Sequence, residues 1–233
     1  MSSSEEILLQ PTPAATFRTI GGILDIFILV GPTPAKVVQQ YQHVVGLPAL
    51  PPYWSLGFHL CRYEYGSLDR TRFIMEKNIE AQIPLDVQWN DIDYMERRNG
   101  FTYDNVSFHG LPEFVDQLHS SGRHYVMIFD PAMSGSELPG TYPPFDMGMD
   151  MDIFVKNESG GVVYGKDMNE PTNFYDGHAD GCPANSTLDY PPYVPGEKPL
   201  FAQTLCMSDR HHLSAHYDVH NIYAHLEAEA TYT

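Results

Sequence analysis

The chain has 233 residues, of which 13 are basic and 30 acidic, for a formal net charge of −17. This length allows one sizeable domain or two small ones, and a hydrophobic share of 42% supplies a buried core and excludes wholesale disorder. So acidic a surface repels phosphate backbones, which excludes nucleic acid as a partner.

Residues 1–6 are polar and acidic where a secretory leader would be basic and then apolar, so the chain reads as lacking a signal peptide. Residues 15–30 read as extended, with Gly21-Gly22 between two apolar stretches. The run from Gly22 to Val30 is too short to span a bilayer and contains Asp25, so no membrane segment is expected. Gly31-Pro-Thr-Pro34 stops it. A helix starts at Thr33 or Pro34, with Val37, Val38, Tyr41, Val44 and Val45 on one face, and Gly46 ends it. Leu47-Pro-Ala-Leu-Pro-Pro52 is a stiff linker and a candidate boundary.

After the linker the pattern alternates. Residues 54–61 read as a short buried strand. A helix over 68–82 places Met75, Ile79 and Ile83 four apart, and 84–89 is a second strand. Leu111, Phe114, Val115 and Leu118 define an amphipathic helix closed by Gly122, and 124–129 is a third strand. Strand–helix–strand alternation indicates parallel βα units. Polar residues gather just after the strands: Arg62, Asn90, Asp91, Asp93 and Asp130. In a (β/α) barrel that rim is where active sites are built. Residues 131–166 and 175–200 read as long loops, and 216–230 as a last helix.

Two acidic clusters can carry chemistry: Trp89-Asn-Asp-Ile-Asp-Tyr-Met95 and Asp167-Met-Asn-Glu-Pro171. Glycoside hydrolysis needs one carboxylate to trap or shield a positive sugar and a second carboxyl to protonate the leaving oxygen. The same residues after a strand also serve as ordinary turn and cap formers. Cys182 and Cys206 are able to close a loop, leaving Cys61 odd. Asn105-Val-Ser107, Asn157-Glu-Ser159 and Asn185-Ser-Thr187 fit the glycosylation pattern, so a secretory origin is expected for a mature segment that has lost its leader.

Several words of the sequence, in order, resemble glycoside hydrolase family 31, the α-glucosidases: Pro51-Pro-Tyr-Trp-Ser-Leu-Gly-Phe-His-Leu-Cys-Arg-Tyr63, the segment 89–95, Phe101-Thr-Tyr103, Asp130-Pro-Ala132, Asp167-Met-Asn-Glu-Pro171, Pro191-Pro-Tyr-Val-Pro195 and His216-Tyr-Asp-Val-His-Asn-Ile-Tyr223. The resemblance implies an α/β fold: a partial TIM (β/α)8 barrel over 51–233, preceded over 1–50 by the end of a β-sandwich domain plus a linker helix. It implies a retaining mechanism with no cofactor on α-linked glucans or oligosaccharides. Asp167 would be the nucleophile and Asp91 a hydrogen-bond acceptor for sugar hydroxyls. Tyr63, Ile92, Ile128 and Met168 would line the first subsite. Cys182 and Cys206 would form a disulfide, and Cys61 would stay an unpaired thiol. The parent would follow the secretory pathway to a lysosomal, extracellular or membrane-tethered place.

The chain departs from the family just before Asp167. The family's nucleophile strand ends in Trp-x-Asp, whereas Tyr164-Gly-Lys-Asp167 stands here. A stretch of about one βα unit, ~30 residues or more, is therefore expected to be missing between Lys166 and Asp167. The general acid/base is expected beyond residue 233. Together these predict an inactive fragment. Two other readings stand beside it: a non-catalytic or splice product that binds sugar or nothing, and a metal-binding protein using His212, His216 and His220 on one helix face.

Overall fold

The computed structural model describes residues 5–130, 133–165 and 173–232. They form two units, Ile23–Phe129 and a second made of Met1–Gly22 with Asp130–Thr233.

The chain opens with an antiparallel hairpin of β1 (Glu5–Gln10) and β2 (Ala14–Thr19), in register from Glu5↔Thr19 to Gln10↔Ala14. The expected extended segment stops there. Residues 23–30 form no strand, and Ile23, Leu24 and Ile28 are exposed. Helix α1 (Pro34–Val45) forms as expected. Thr33 caps it by accepting from the Lys36 amide at 3.3 Å, and the Gly46 amide closes it on the Gln42 carbonyl at 2.9 Å. Its apolar face is exposed at Val38, Tyr41, Val44 and Val45.

The strand expected over 54–61 is mostly a turn. Tyr53–Leu56 is a short 3-10 helix, and only β3 (His59–Leu60) is a strand. Pro51 and Pro52 lack amide donors, and the chain turns through Tyr53–Leu56 before it extends at Gly57. A side chain at Gly57 would collide with the Asp86 carboxylate, which accepts from the Phe58 amide at 2.9 Å. Helix α2 (Leu68–Glu80), β4 (Val87–Asn90), α3 (Leu111–Ser120) and β5 (His124–Met127) follow. The three strands pair in parallel in the order β3-β4-β5, with Val87 opposite both His59 and His124. Parallel strands need crossovers, and α2 and α3 are the crossovers. Leu68, Tyr94, Met95, Phe108, Leu111, Phe114 and Leu118 make the core of this unit.

The other unit is sparser in regular structure. Within the expected loop 131–166 a helix forms, α4 (Pro143–Asp150), with prolines in its first turn where their missing amides cost nothing. Lys156 and Arg210 exchange backbone hydrogen bonds at 3.0 and 2.7 Å. The expected last helix is broken: α5 (His216–Val219), a 3-10 turn at His220–Ile222, then α6 (Tyr223–Tyr232). Leu200, Phe201 and Met207 pack around the bonded Cys182 and Cys206. Among the described residues no helix is long and apolar enough to cross a membrane.

Candidate functional site

Asp91 follows the middle strand β4. Its Oδ1 accepts from the Ile92 amide at 2.8 Å and starts a 3-10 turn, Ile92–Tyr94, which takes the chain away from the strand end. The footing beneath it is polar, with Asn90 and Thr71 fully buried. Asn90 donates through Nδ2 to Thr71 Oγ1 at 3.0 Å, and its Oδ1 accepts from the Tyr125 hydroxyl at 3.1 Å. Thr71 in turn donates to the Ser67 carbonyl at 3.1 Å. One buried amide thus ties α2, β4 and β5 together below Asp91. Burial pushes the Tyr125 hydroxyl pKa well up, so it stays a neutral donor to Asn90.

The neighbouring rim positions are held as firmly. Ile128 donates its amide to the Asn90 carbonyl at 3.0 Å, and its own carbonyl accepts from the Tyr94 hydroxyl at 3.0 Å. Ile92 is half-buried against the core. Tyr63 is exposed, with the Arg98 guanidinium 5.6 Å from its ring centre. Cys61 is a free, exposed thiol whose pKa is raised by burial and by the Asp91 carboxylate, so residues 61 and 91 face one another electrostatically. Asp93, among the rim residues of the sequence but given no role there, accepts from the Gly66 amide at 2.8 Å and pins the turn after Tyr63 to the end of β4.

An open groove of about 600 Å³ lies beside β5, walled by Phe101, Tyr103, Leu111, Val115, Met127 and Phe129. None of Asp91, Ile92, Ile128 or Tyr63 lines it, so the aromatic groove and the acidic rim are separate features.

Asp167 and Met168 lie outside the described residues. Cys182 and Cys206 form the disulfide, with Cα atoms 5.6 Å apart. Asn105 and Asn185 are exposed. Asn157 is half-buried and accepts through Oδ1 from Ser159 and Gly161.

The histidine face differs from the sequence expectation. His212 is exposed and outside the cluster, because the helix begins only at His216. His211 takes its place. Its Nε2 lies 3.0 Å from His216 Nδ1, while His220 Nδ1 and Thr204 Oγ1 approach His216 Nε2 at 3.3 and 3.1 Å. His216 meets its two histidine neighbours with opposite ring nitrogens, so the three imidazoles do not converge on one ion. Burial first, then the neighbouring imidazoles, pull the His216 pKa down to about 3. This is a packed neutral stack.

Two features of this unit were missed in the sequence. His178 Nε2 contacts both Asp209 carboxylate oxygens at 2.9 Å across 31 positions, and buried Asp189 accepts from the Met207 amide at 2.6 Å across 18. Loop residues so far apart carry no periodic signal that would link them.

The comparisons fit this geometry. Residues 48–176 match the model described as the glycosyl hydrolases family 31 TIM-barrel domain, which includes all three parallel strands and Asp91. The chain belongs to glycoside hydrolase family 31. Over 99% of its length it is 43% identical to lysosomal alpha-glucosidase of Bos taurus and 41% identical to intestinal sucrase-isomaltase of Homo sapiens. It spans 29% and 15% of those two proteins. Among solved structures, the ER glucosidase II heterodimeric complex of catalytic subunit and regulatory binding domain is similar at a TM-score of 0.66 and 26% identity, over 87% of this chain and 24% of that one. These family 31 neighbours show the α/β fold of the chain. The match to the bovine enzyme runs over 271 residues against the 233 present here, so at least 38 aligned positions have no counterpart in this chain.

Proposed function

We propose that the parent protein is a retaining α-glucosidase acting on α-linked glucans or oligosaccharides. The 233 residues then carry one side of its first sugar subsite. The observation that supports this most directly is Asp91, at the end of the middle parallel strand, within the family-matched segment, on a buried footing of Asn90, Thr71 and Tyr125. That footing suits a carboxylate that must accept sugar hydroxyls in a fixed direction. Tyr63, Ile92, Ile128 and Met168 line the same subsite in this reading, and Asp167 attacks the anomeric carbon to form the glycosyl-enzyme.

The domain reading is proposed alongside it: 1–50 as the end of a β-sandwich with its linker helix, 51–233 as an incomplete barrel. The antiparallel pairing of β1 and β2, against the parallel pairing of every named strand after residue 51, supports the division, as does the family match beginning at residue 48. The disulfide and the exposed Asn105 and Asn185 support passage through the secretory pathway. The unmatched positions in the bovine comparison support a missing stretch before Asp167.

A nucleophile must be held to about half an ångström by its strand, and here Gly165-Lys166 replaces the family's Trp-x. The purified 233-residue chain is therefore expected to release no glucose from maltose or a chromogenic α-glucoside. Turnover at a rate like that of an intact family member would overturn the fragment reading. Calorimetry with glucose or an acarbose-like inhibitor separates a residual sugar binder from the non-binding alternative. Sequencing the transcript across Lys166–Asp167 tests the gap directly: recovery of a segment ending in Trp-x-Asp supports it, and an uninterrupted transcript removes it.

A further inference from the structure

The loop unit contains an arrangement that the glycosidase reading leaves unused. Cys206 Sγ, a His178 ring nitrogen and an Asp209 carboxylate oxygen all lie within 4.8 Å of one another, and so do Cys182 Sγ, Cys206 Sγ and an Asp189 carboxylate oxygen. Cys206 belongs to both sets. The surroundings are dry: Cys206 is 0% exposed, Asp189 and Asp209 1% each, and Cys182 8%. A side chain at Gly177 would collide with the Cys182 sulfur and crowd that of Cys206, so the residue beside the sulfurs has to be small. Its φ of +74° suits glycine as well.

A second observation points to a cation. Asp189 Oδ2 is buried and has no hydrogen-bond partner among the described residues, although Oδ1 of the same carboxylate is satisfied by Met207. An orphaned carboxylate oxygen in a dry interior is costly unless a positive group faces it.

We propose that the Cys182–Cys206 bridge is one of two alternative closures of this loop, the other being a zinc-class divalent ion held by the reduced Cys182 and Cys206 with His178 and Asp209. Two thiolates, an imidazole and a carboxylate form a donor set that suits tetrahedral zinc. Zn–S near 2.3 Å and Zn–N near 2.0 Å require donor separations of roughly 3.3–3.8 Å, so after reduction the sulfurs move apart and Cys182, now in the set with Asp189, swings toward the set of His178, Cys206 and Asp209. The His178–Asp209 contact at 2.9 Å already brings an imidazole nitrogen and a carboxylate together beside Cys206. Asp189, with a carboxylate oxygen within 4.8 Å of both sulfurs, gains a nearby positive charge.

The exchange balances. A dithiol reductant supplies two electrons and two protons and leaves as its own disulfide, while the Cys182–Cys206 bond breaks to two thiols. Metal binding then releases those two protons to solvent as both sulfurs ligate as thiolates.

The test uses the full 233-residue chain, oxidised or reduced with a phosphine, and titrated with cobalt(II) as the optical probe. The reduced chain is expected to take up one cobalt, with thiolate charge-transfer bands and the intense visible bands of tetrahedral coordination, and to lose them to added zinc. The oxidised chain and Cys206→Ser should show neither set of bands. His178→Ala and Asp209→Asn should each weaken binding about tenfold or more, and His212→Ala, at an exposed residue outside the set, should leave it unchanged. Absence of stoichiometric uptake overturns the proposal. So does uptake that His178→Ala and Asp209→Asn leave undiminished, since thiols on an unfolded loop would behave that way.

Discussion

The two units are held together by different physics. In Ile23–Phe129 the core is apolar, and its members recur at helical and strand spacing: Leu111, Phe114 and Leu118 from α3 meet Leu68 from α2 and Tyr94 after β4. In the unit containing Asp130–Thr233 a smaller apolar cluster packs on one disulfide, and the buried set also includes Asn173, Asp189, Thr204, Ser208, Asp209 and His216. The first depends on the hydrophobic effect, which is indifferent to reductant and mild acid. The second adds to its apolar packing a covalent closure and buried titratable groups, which are not. The βα unit should therefore respond mainly to cavities, and the loop unit mainly to redox and pH.

The largest effect is expected at Phe114, which is 1% exposed in the centre of the βα core. Phe114→Ala removes its contacts and leaves a cavity, at a cost of about 3–5 kcal/mol. Urea unfolding followed at Trp54 and Trp89, both within this unit, measures it. A loss below about 1 kcal/mol would mean that the core is not packed as described. Next is the bridge. Cys182 and Cys206 are 24 positions apart, and opening a loop of that size removes about 3.5 kcal/mol on the chain-entropy model. Limited proteolysis of Cys206→Ser should cut within 176–215 while sparing 54–129. Equal susceptibility of both segments would erase the contrast between the units.

The same contrast explains what the sequence disclosed. The α3 face was legible because Leu111, Phe114, Val115 and Leu118 repeat at the helical period, and the parallel strands because short apolar runs alternate with such helices. Residues 54–61 misled because an apolar composition does not reveal the 3-10 turn over Tyr53–Leu56 that follows Pro51 and Pro52. Helix α4 was hidden by Pro143-Pro144, which marks a loop in most settings but is compatible with a first helical turn. At the candidate site, Asp91, Ile92 and Ile128 were singled out through the family resemblance. Their support through Asn90, Thr71 and Tyr125 was not, since it joins residues 19 and 35 positions from Asn90. The replacement of His212 by His211 depends on where the helix starts, which four-residue spacing cannot fix.

Acid should separate the units further. In the unfolded chain His216 titrates near 6.5, but in the folded chain it resists protonation down to about 3. The unfolded state therefore binds the proton first. Stability from this group is fully present above pH 6.5, falls as the pH drops below it, and stops falling near pH 3. Between pH 7.5 and pH 5 the loss is about 2 kcal/mol. His211 and His220, also lowered by burial, act in the same direction, whereas Asp209, raised by its own desolvation, partly opposes them at lower pH. Hydrogen exchange of amides 204–217 against those of 87–90 at the two pH values measures the difference. A His216→Gln chain should lose most of the acid sensitivity, and one that keeps it would move the cause elsewhere.

The smallest effect tests the rim itself. Asp91→Asn keeps an oxygen for the Ile92 amide, so the 3-10 turn survives and the change in stability should stay within about 0.5 kcal/mol. The charge is lost, however, and that charge helps hold the Cys61 pKa above its ordinary value. Cys61 is the free thiol of the chain and is exposed. Its alkylation at mildly alkaline pH should therefore accelerate in Asp91→Asn, by roughly twofold given solvent screening between partly exposed groups. The bridged Cys182 and Cys206 do not react, so the rate reports Cys61 alone. An unchanged rate would mean that the ends of β3 and β4 do not bring residues 61 and 91 together. The predicted rise, with stability unaltered, would place the Asp91 carboxylate beside Cys61 by chemistry independent of any sugar.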